Sequence, residues 1–481
     1  MRTRGPTDVT ALTGGHVTRH RDRRMWTRAL GATASRLASR RLAAAAGAAS
    51  ATALSLALSS ERLADPSKPS RCESSLLQQA VSSKPLLFAW GRLAPASGHA
   101  DAAPVLMRTR EPLDVGYFFS SRGLRVVDLA YGQTHAAALD DQGCLWAWGE
   151  TAGAIPRKLP CGRHRVAKVV STHSGLYALT SRGYVLEWRD LDERLAVAAD
   201  GNVPAPSPLA GALARMNVTS LAAGDAHVLA VGKDGVVVAM GDNSHGQLGL
   251  GEPNVVGTKV DEPTTLTTLP AGAKPVGAAC GGAHSLLLLE DGGVLAFGDD
   301  RNLQLGLRAR TVKAMRDGRT QVPMPERVIL LPRERRVVGV AAGGGGIEGG
   351  HSVFVLRGSE SGGDELWVCG HGRWGQLGTR AFTHQTEVKE VTALSKLRQW
   401  DEQAARVVGI TVEKIACGEK HTAALLSTGN LFVWGWNDHG QLGSGGGQGS
   451  HTPAMIKSPT ELRFAVMRGL ACGPNSTAVW S

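Results

Sequence analysis

No two of the seven cysteines are spaced as Cys-x-x-Cys, so the sequence offers no zinc signature. Their odd number and repeat-like spacing argue against a secreted disulfide framework. Cys280, Cys417 and Cys472 each stand in an Ala-Cys-Gly tripeptide and read as small buried hydrophobes. Aromatic residues make up only 5% of the chain, against 61 glycines in 481 residues. That balance suits many short strands and turns. The glycine-rich stretch 341–351 lacks the Gly-Lys-Ser/Thr of a phosphate loop and reads as a repeat start carrying an insertion. Catalytic constellations are missing too. The sequence therefore predicts no catalytic, cofactor-binding or metal-ligating residues, no cofactor and no enzyme.

The net charge of +11 taken alone would suggest a nucleic-acid partner. Its distribution argues otherwise. Residues 1–62 hold 11 Lys/Arg and 3 acids, and the remainder is only +3. A chain whose main body is not broadly basic is a poor direct nucleic-acid binder.

What is present is a repeat. "CGEKHTAALLSTGNLFVWG" ends at Gly435, and "YGQTHAAALDDQGCLWAWG" ends at Gly149. Similar stretches end at Gly241 and Gly298. In all four, 14 residues separate the histidine from the final glycine. A small-apolar run, a short turn and a run alternating large with small read as a β-hairpin. "GQLG" then follows at Gly246, Gly375 and Gly440, with Leu303 replacing the first glycine in a fourth copy. The tryptophans are expected to fill space between adjacent sheets, and the glycines to let the chain turn. The histidines recur once per unit and are read as structural, bonding loop backbone around the turn.

Seven histidine-type positions are found: His135, His227, His284, His351 and His421, with Gly175 and Ser476 as degenerate copies. Seven strand-ending pairs run from Trp90-Gly91 to Trp434-Gly435. The two series are out of phase. The first strand, at 86–90, has no partner before it, and the last, at 470–480, has none after it. A ring in which the first strand completes the last unit resolves this, and predicts an all-β, seven-bladed β-propeller.

These motifs resemble the regulator of chromosome condensation repeat. The resemblance covers residues 85–481, and among members it is similar to mitochondrial ones. It implies a propeller, but members include a nucleotide exchange factor for a small GTPase, ubiquitin-ligase modules and mitochondrial biogenesis proteins. Fold alone cannot choose among them.

Residues 25–42 carry four arginines and no acid. On a helix Arg28, Arg36 and Arg40 share one side, with Trp26, Leu30 and Leu37 opposite. That is the pattern of a mitochondrial transit segment, with a basic tail for nuclear import as the alternative. Met25 is a second candidate start. Residues 42–60 are 19 without charge, about the span of a bilayer, though rich in alanine; the alternative is an extension of the targeting sequence. The expected organisation is a targeting region at 1–41, a candidate transmembrane segment at 42–60, a linker at 61–84 and the propeller at 85–481.

Residues 307–338 read as a connector between two blades, with nine Lys/Arg and three acids. Arg308, Arg310, Lys313, Arg316, Arg319, Arg333, Arg335 and Arg336 are the candidate partner-binding residues, expected to form a cationic rim on one face. The alternative is a solvated connector. The connector at 379–406 is expected to carry a short helix. Two functions follow. One is a non-catalytic scaffold in mitochondria, on the inner membrane, supporting assembly of respiratory or translation machinery. The other is a guanine-nucleotide exchange factor, in the nucleus or cytoplasm, whose partner is a small GTPase.

Overall fold

The computed structural model describes residues 85–93, 107–198, 203, 205–209, 211–251, 257–307, 320–332, 334–345, 349–358, 362–401, 405–456 and 466–481. The expected targeting region, membrane segment and linker lie outside the described residues. Among the described residues no helix is long and apolar enough to cross a membrane.

The hairpins read from the sequence are the two middle strands of four-stranded antiparallel blades. Blade 1 is Val126–Tyr131, His135–Asp140, Leu145–Gly149 and Gly153–Lys158. Blade 2 is Val166–Ser171, Leu176–Thr180, Val185–Trp188 and the two-residue Ser207–Pro208. Blade 3 runs from Val218–Ala223 to Lys259–Thr265, blade 4 from Pro275–Cys280 to Gln321–Arg327. Blade 5 runs from Val337–Gly344 to Gln385–Glu390, blade 6 from Val412–Cys417 to Ser450–Met455. Blade 7 joins the two ends of the chain. Gly469–Cys472 and Ser476–Trp480 supply its inner half, and Leu87–Leu93 and Met107–Asp114 its outer half.

The expected closure is therefore present, with two strands contributed from each side. Leu87 to Gly91 pair with Trp480 to Ser476 in continuous register. Alternation along this strand makes it a two-sided seal. Leu87 and Ala89 pack toward blade 1, while Leu86, Phe88 and Trp90 pack toward blade 6. First strands of successive blades touch one another around the whole circle, blade 7 against blade 1 included. A hydrophobic cluster lies between every adjacent pair of blades, each built from the facing sides of two sheets.

The 14-residue spacing is a cross-strand pair. His227 faces Gly241, His284 faces Gly298 and His421 faces Gly435. At each of these glycines the outer pairing slips by two residues, a β-bulge. The residue before the glycine is thereby turned inward: Trp434, Trp90 and Phe297 are fully buried. Gly435 has φ +117°, and a Cβ there would lie 2.4 Å from the Lys420 carbonyl oxygen. Gly435→Ala combines that clash with a strained φ, and is expected to cost about 2–4 kcal/mol. An unchanged urea midpoint would rule this out.

The connector after blade 5 carries the expected helix, Thr392–Ser395, and also a two-stranded hairpin, Arg398–Asp401 with Arg406–Gly409.

Candidate interaction face

Second strands begin, and third strands end, at one end of the ring, here termed the loop face. The loops joining first to second strands and third to fourth strands open there. Hairpin turns and interblade connectors lie at the opposite end.

The Gly-Gln-Leu-Gly loops are clasped by the next blade. Gln304, Gln376 and Gln441 offer their carbonyl oxygens to the hydroxyls of Ser352, Thr422 and Thr477, at 2.6, 2.9 and 2.9 Å. The indole nitrogens of Trp434 and Trp90 donate to the Gln376 and Gln441 carbonyls, each at 2.8 Å. Each hydroxyl also meets the histidine of the preceding blade: His284 with Ser352 at 3.0 Å, His351 with Thr422 at 3.0 Å, His421 with Thr477 at 2.9 Å. His227 meets Ser285 in the same way at 2.9 Å. In blade 2 the corresponding position is Leu176, and Ser171 serves His135 instead, at 2.6 Å. The histidines are thus structural, but they reach a neighbouring hydroxyl, and the hydroxyl reaches the loop backbone. Because each of these hydroxyls spends its proton on a carbonyl, Nε2 of the imidazole is the donor; buried Nδ1 faces no acceptor, which favours the neutral ring. Burial drives the pKa of His135, His227, His284 and His421 down to about 4, and that of His351 to about 3.

Around the axis, first-to-second-strand loops form a mouth lined by Cys280, Cys417 and Cys472 together with His173, Asp225 and Glu419. Cys280 is buried, as expected, but Cys417 and Cys472 are only half-buried. Burial pushes the thiols of Cys280 and Cys417 up to about 12. His173 Nε2 lies 3.1 Å from Asp225 Oδ1, and that hydrogen bond raises the histidine pKa. Among the described residues no group of three or more His, Cys, Asp or Glu is arranged to hold a metal.

The exposed chemistry lies farther out, over blades 5 and 6. Trp434 fills the space between sheets, but Trp436, two residues on, does not. It leaves the bulge at Gly435 toward the loop face, its N–H held by the Lys420 carbonyl at 2.8 Å. Trp374 comes from the blade 5 loop and is 37% exposed. The two indoles are 6.0 Å apart, and Lys420 Nζ stands 5.1 Å from one ring centre and 4.6 Å from the other. His439 packs edge-on against Trp436, ring centres 5.0 Å apart, and half-exposed Phe382 packs likewise against His451 at 4.6 Å. Arg373 and Arg380 are exposed on the same loop.

Trp436 breaks the rule of its own loop. In blades 3 and 4 the residue after the bulge glycine is Asp242 or Asp299, which accepts the Gln247 or Gln304 side-chain amide at 2.8 and 3.0 Å. In blade 5 His371 meets Gln376 at 2.9 Å. An indole cannot accept, and the buried Gln441 Nε2 has no hydrogen-bond partner. Such an orphan costs on the order of 1–3 kcal/mol. The sequence did show an aromatic residue beside the loop glycine, but not that one tryptophan of "WGW" turns in and the other out.

Of the sequence-derived candidates, Arg308, Arg310, Lys313, Arg316, Arg319 and Arg333 lie outside the described residues. The stretch is not one interblade connector, because it contains the fourth strand of blade 4, Gln321–Arg327. Residues 308–319 fall before that strand in sequence, and Arg335 and Arg336 follow it, near the hairpin-turn end. Arg335 is ion-paired with Glu365 at 3.2 Å, and Arg336 donates to the Glu290 carbonyl at 2.5 Å. These two tie the connector to blades 5 and 4.

Two family models described as regulator of chromosome condensation (RCC1) repeat match residues 218–247 and 412–441, and residues 234–288 and 428–480. The chain is 28% identical over 368 residues to the ultraviolet-B receptor UVR8 of Arabidopsis thaliana, covering 73% of each. It is 26% identical over 428 residues to the E3 ubiquitin-protein ligase HERC2 of Homo sapiens, covering 84% of this chain but 8% of that ligase. The structure superposes on Prp20p of Saccharomyces cerevisiae, a protein with binding properties toward Gsp1p and histones. The TM-score is 0.62 at 20% identity, over 84% of this chain and 94% of that one. Blade count, closure and repeat matches agree: the chain is a seven-bladed β-propeller of the regulator of chromosome condensation (RCC1) repeat family.

Proposed function

We propose that the chain is a non-catalytic interaction scaffold that holds a protein partner on its loop face, over blades 5 and 6, and acts in mitochondria. One observation carries the binding part: exposed Trp374 and half-buried Trp436 bracket Lys420 on the loop face, whereas the tryptophans before the bulge glycines, Trp90, Trp148 and Trp434, are buried. Exposed tryptophan beside cationic side chains is the composition of interface hot spots. The mitochondrial part rests on the arginine face of residues 25–42, and inner-membrane attachment on residues 42–60. Assembly of respiratory or translation machinery is the proposed context. The cations at 308–319 are proposed to add charge-based attraction, since the chain ends flanking them, Leu307 and Thr320, belong to the third-to-fourth-strand loop of blade 4.

Affinity purification of the full chain from separated mitochondrial, nuclear and cytosolic fractions tests this. A stoichiometric protein partner is expected in the mitochondrial membrane fraction, with capture weakening as salt rises. Absence of any such partner from every fraction would overturn the scaffold. A captured small GTPase whose nucleotide release the chain accelerates would replace it by the exchange-factor reading.

A further inference from the structure

Three departures from the repeat meet at one place on the loop face. The residue before the repeat histidine is Thr134, Ala226, Ala283 or Gly350 in other blades, and a lysine only at Lys420. The residue after the bulge glycine is Asp242, Asp299 or His371 in the other Gln-Leu-Gly loops and Glu150 or Arg92 in blades 1 and 7, and an indole only at Trp436. The fourth loop position is His245, Asn302 or His439, and an indole only at Trp374. None of the three is needed to close a blade, since blades 3 and 4 close without them. One of them leaves a buried amide of Gln441 unpartnered. A loop that forgoes an internal hydrogen bond to present an indole is shaped by something outside the blade.

We propose that Trp374, Lys420 and Trp436 form a docking site for an acidic peptide segment of a protein partner. A carboxylate of the segment meets the Lys420 ammonium, and a neighbouring apolar side chain lies on the exposed indole of Trp374. This rests on the scaffold reading above and names its partner's chemistry. The surrounding charges fit a short acidic segment. Arg373 and Arg380 are exposed beside the indoles and extend the positive strip outward. Arg92 and Arg108 are close enough to His439 to lower its pKa, after burial itself, and so border the other side. Exposed Asp438 and half-buried Glu419 interrupt the strip. A discrete carboxylate can sit between such acids, whereas a continuous phosphate backbone would be held against them.

The test uses the full chain and three probes: the capped peptide Asp-Glu-Phe-Glu-Asp, its neutral counterpart Asn-Gln-Phe-Gln-Asn, and a 12-nucleotide polyuridine strand, a length chosen as about that of single-strand sites. Fluorescence anisotropy reads the binding. The acidic peptide is expected to bind at least about tenfold more tightly than the neutral one, a difference of about 1.4 kcal/mol. Lys420→Gln is expected to remove that preference. Trp436→Asp recreates the blade 3 arrangement, so Gln441 regains an acceptor. It should abolish peptide binding while raising, or at least preserving, the melting temperature. A purely structural Trp436 predicts the reverse, a lowered melting temperature with the peptide preference intact. That result, or polyuridine binding tighter than the acidic peptide, would overturn the proposal. Partner capture separates the two readings. If K420Q and W436D retain the captured partner, the scaffold stands and this docking site falls; if the unmutated chain captures none, the scaffold itself falls.

Discussion

Removing residues 470–481 is expected to leave no cooperatively folded propeller. The segment holds half of blade 7, and Leu87–Leu93 has its inner partner only there. Leu470, Val479 and Trp480 are buried, and they contribute to the cores against both blade 6 and blade 1. At about 1.5–3 kcal/mol for each large side chain, their loss is roughly 5–9 kcal/mol, close to the entire stability of a typical domain. It also exposes unpaired strand edges, which invite aggregation. The truncated chain should be insoluble or rapidly cleaved by protease under conditions where the intact chain resists. A soluble, monomeric truncation that unfolds in one sharp transition would show that blade 7 is not the closure.

Acid is expected to unfold the propeller well above the usual carboxylate range. Five histidines are buried neutral, with pKa values of about 3 to 4. In the unfolded chain each titrates near 6.5. Between those values the unfolded state binds more protons, so stability rises with pH across this window. Their contribution is complete above about pH 6.5 and is lost as pH falls toward 4. At pH 5 each ring accounts for about 2 kcal/mol, and five together for roughly 10 kcal/mol as an upper bound. Urea midpoints measured from pH 7.5 to 4.5 should fall steeply below pH 6, with an uptake approaching five protons on unfolding. His227→Gln and His421→Gln should each remove about one proton from that uptake. A midpoint constant from pH 7 to pH 5 would be incompatible with neutral buried rings.

Much of this architecture was legible because the middle strands of each blade are buried on both sides. His421–Leu426 is buried throughout, and its pairing partner ends at Gly435, whose backbone conformation other residues rarely adopt. Such positions tolerate few residues, so their spacing survives as a pattern. The outer strands were not legible. Lys259–Thr265 is mostly exposed, and Gln321–Arg327, "QVPMPER", holds two prolines that an edge strand tolerates. In the latter strand only Val322 and Pro325 are buried, three residues apart, so there is no alternation to read, and it passed for part of a basic connector. The interaction face was hidden for a different reason. Trp434 and Trp436 are the same residue type on either side of one glycine, and only the bulge at Gly435 decides which is core and which is surface. Lys420 carried no signal until its neighbours across two loops were known.

The histidine clasps join blade 1 to 2, 3 to 4, 4 to 5, 5 to 6 and 6 to 7. Gly175 and Ser476 stand where the remaining two histidines would be, so the junctions of blade 2 with 3 and of blade 7 with 1 lack this fastening. Mechanically the circle is two arcs, one of five blades and one of two, meeting along two seams. Other contacts hold those seams, among them the Lys168 ammonium on the Leu221 carbonyl at 2.8 Å and the Arg92–Glu150 pair at 3.8 Å. Thermal breathing of the ring is expected to concentrate at these two junctions. The proposed acidic-peptide site sits inside the five-blade arc, on two adjoining loops whose blades are joined by a clasp.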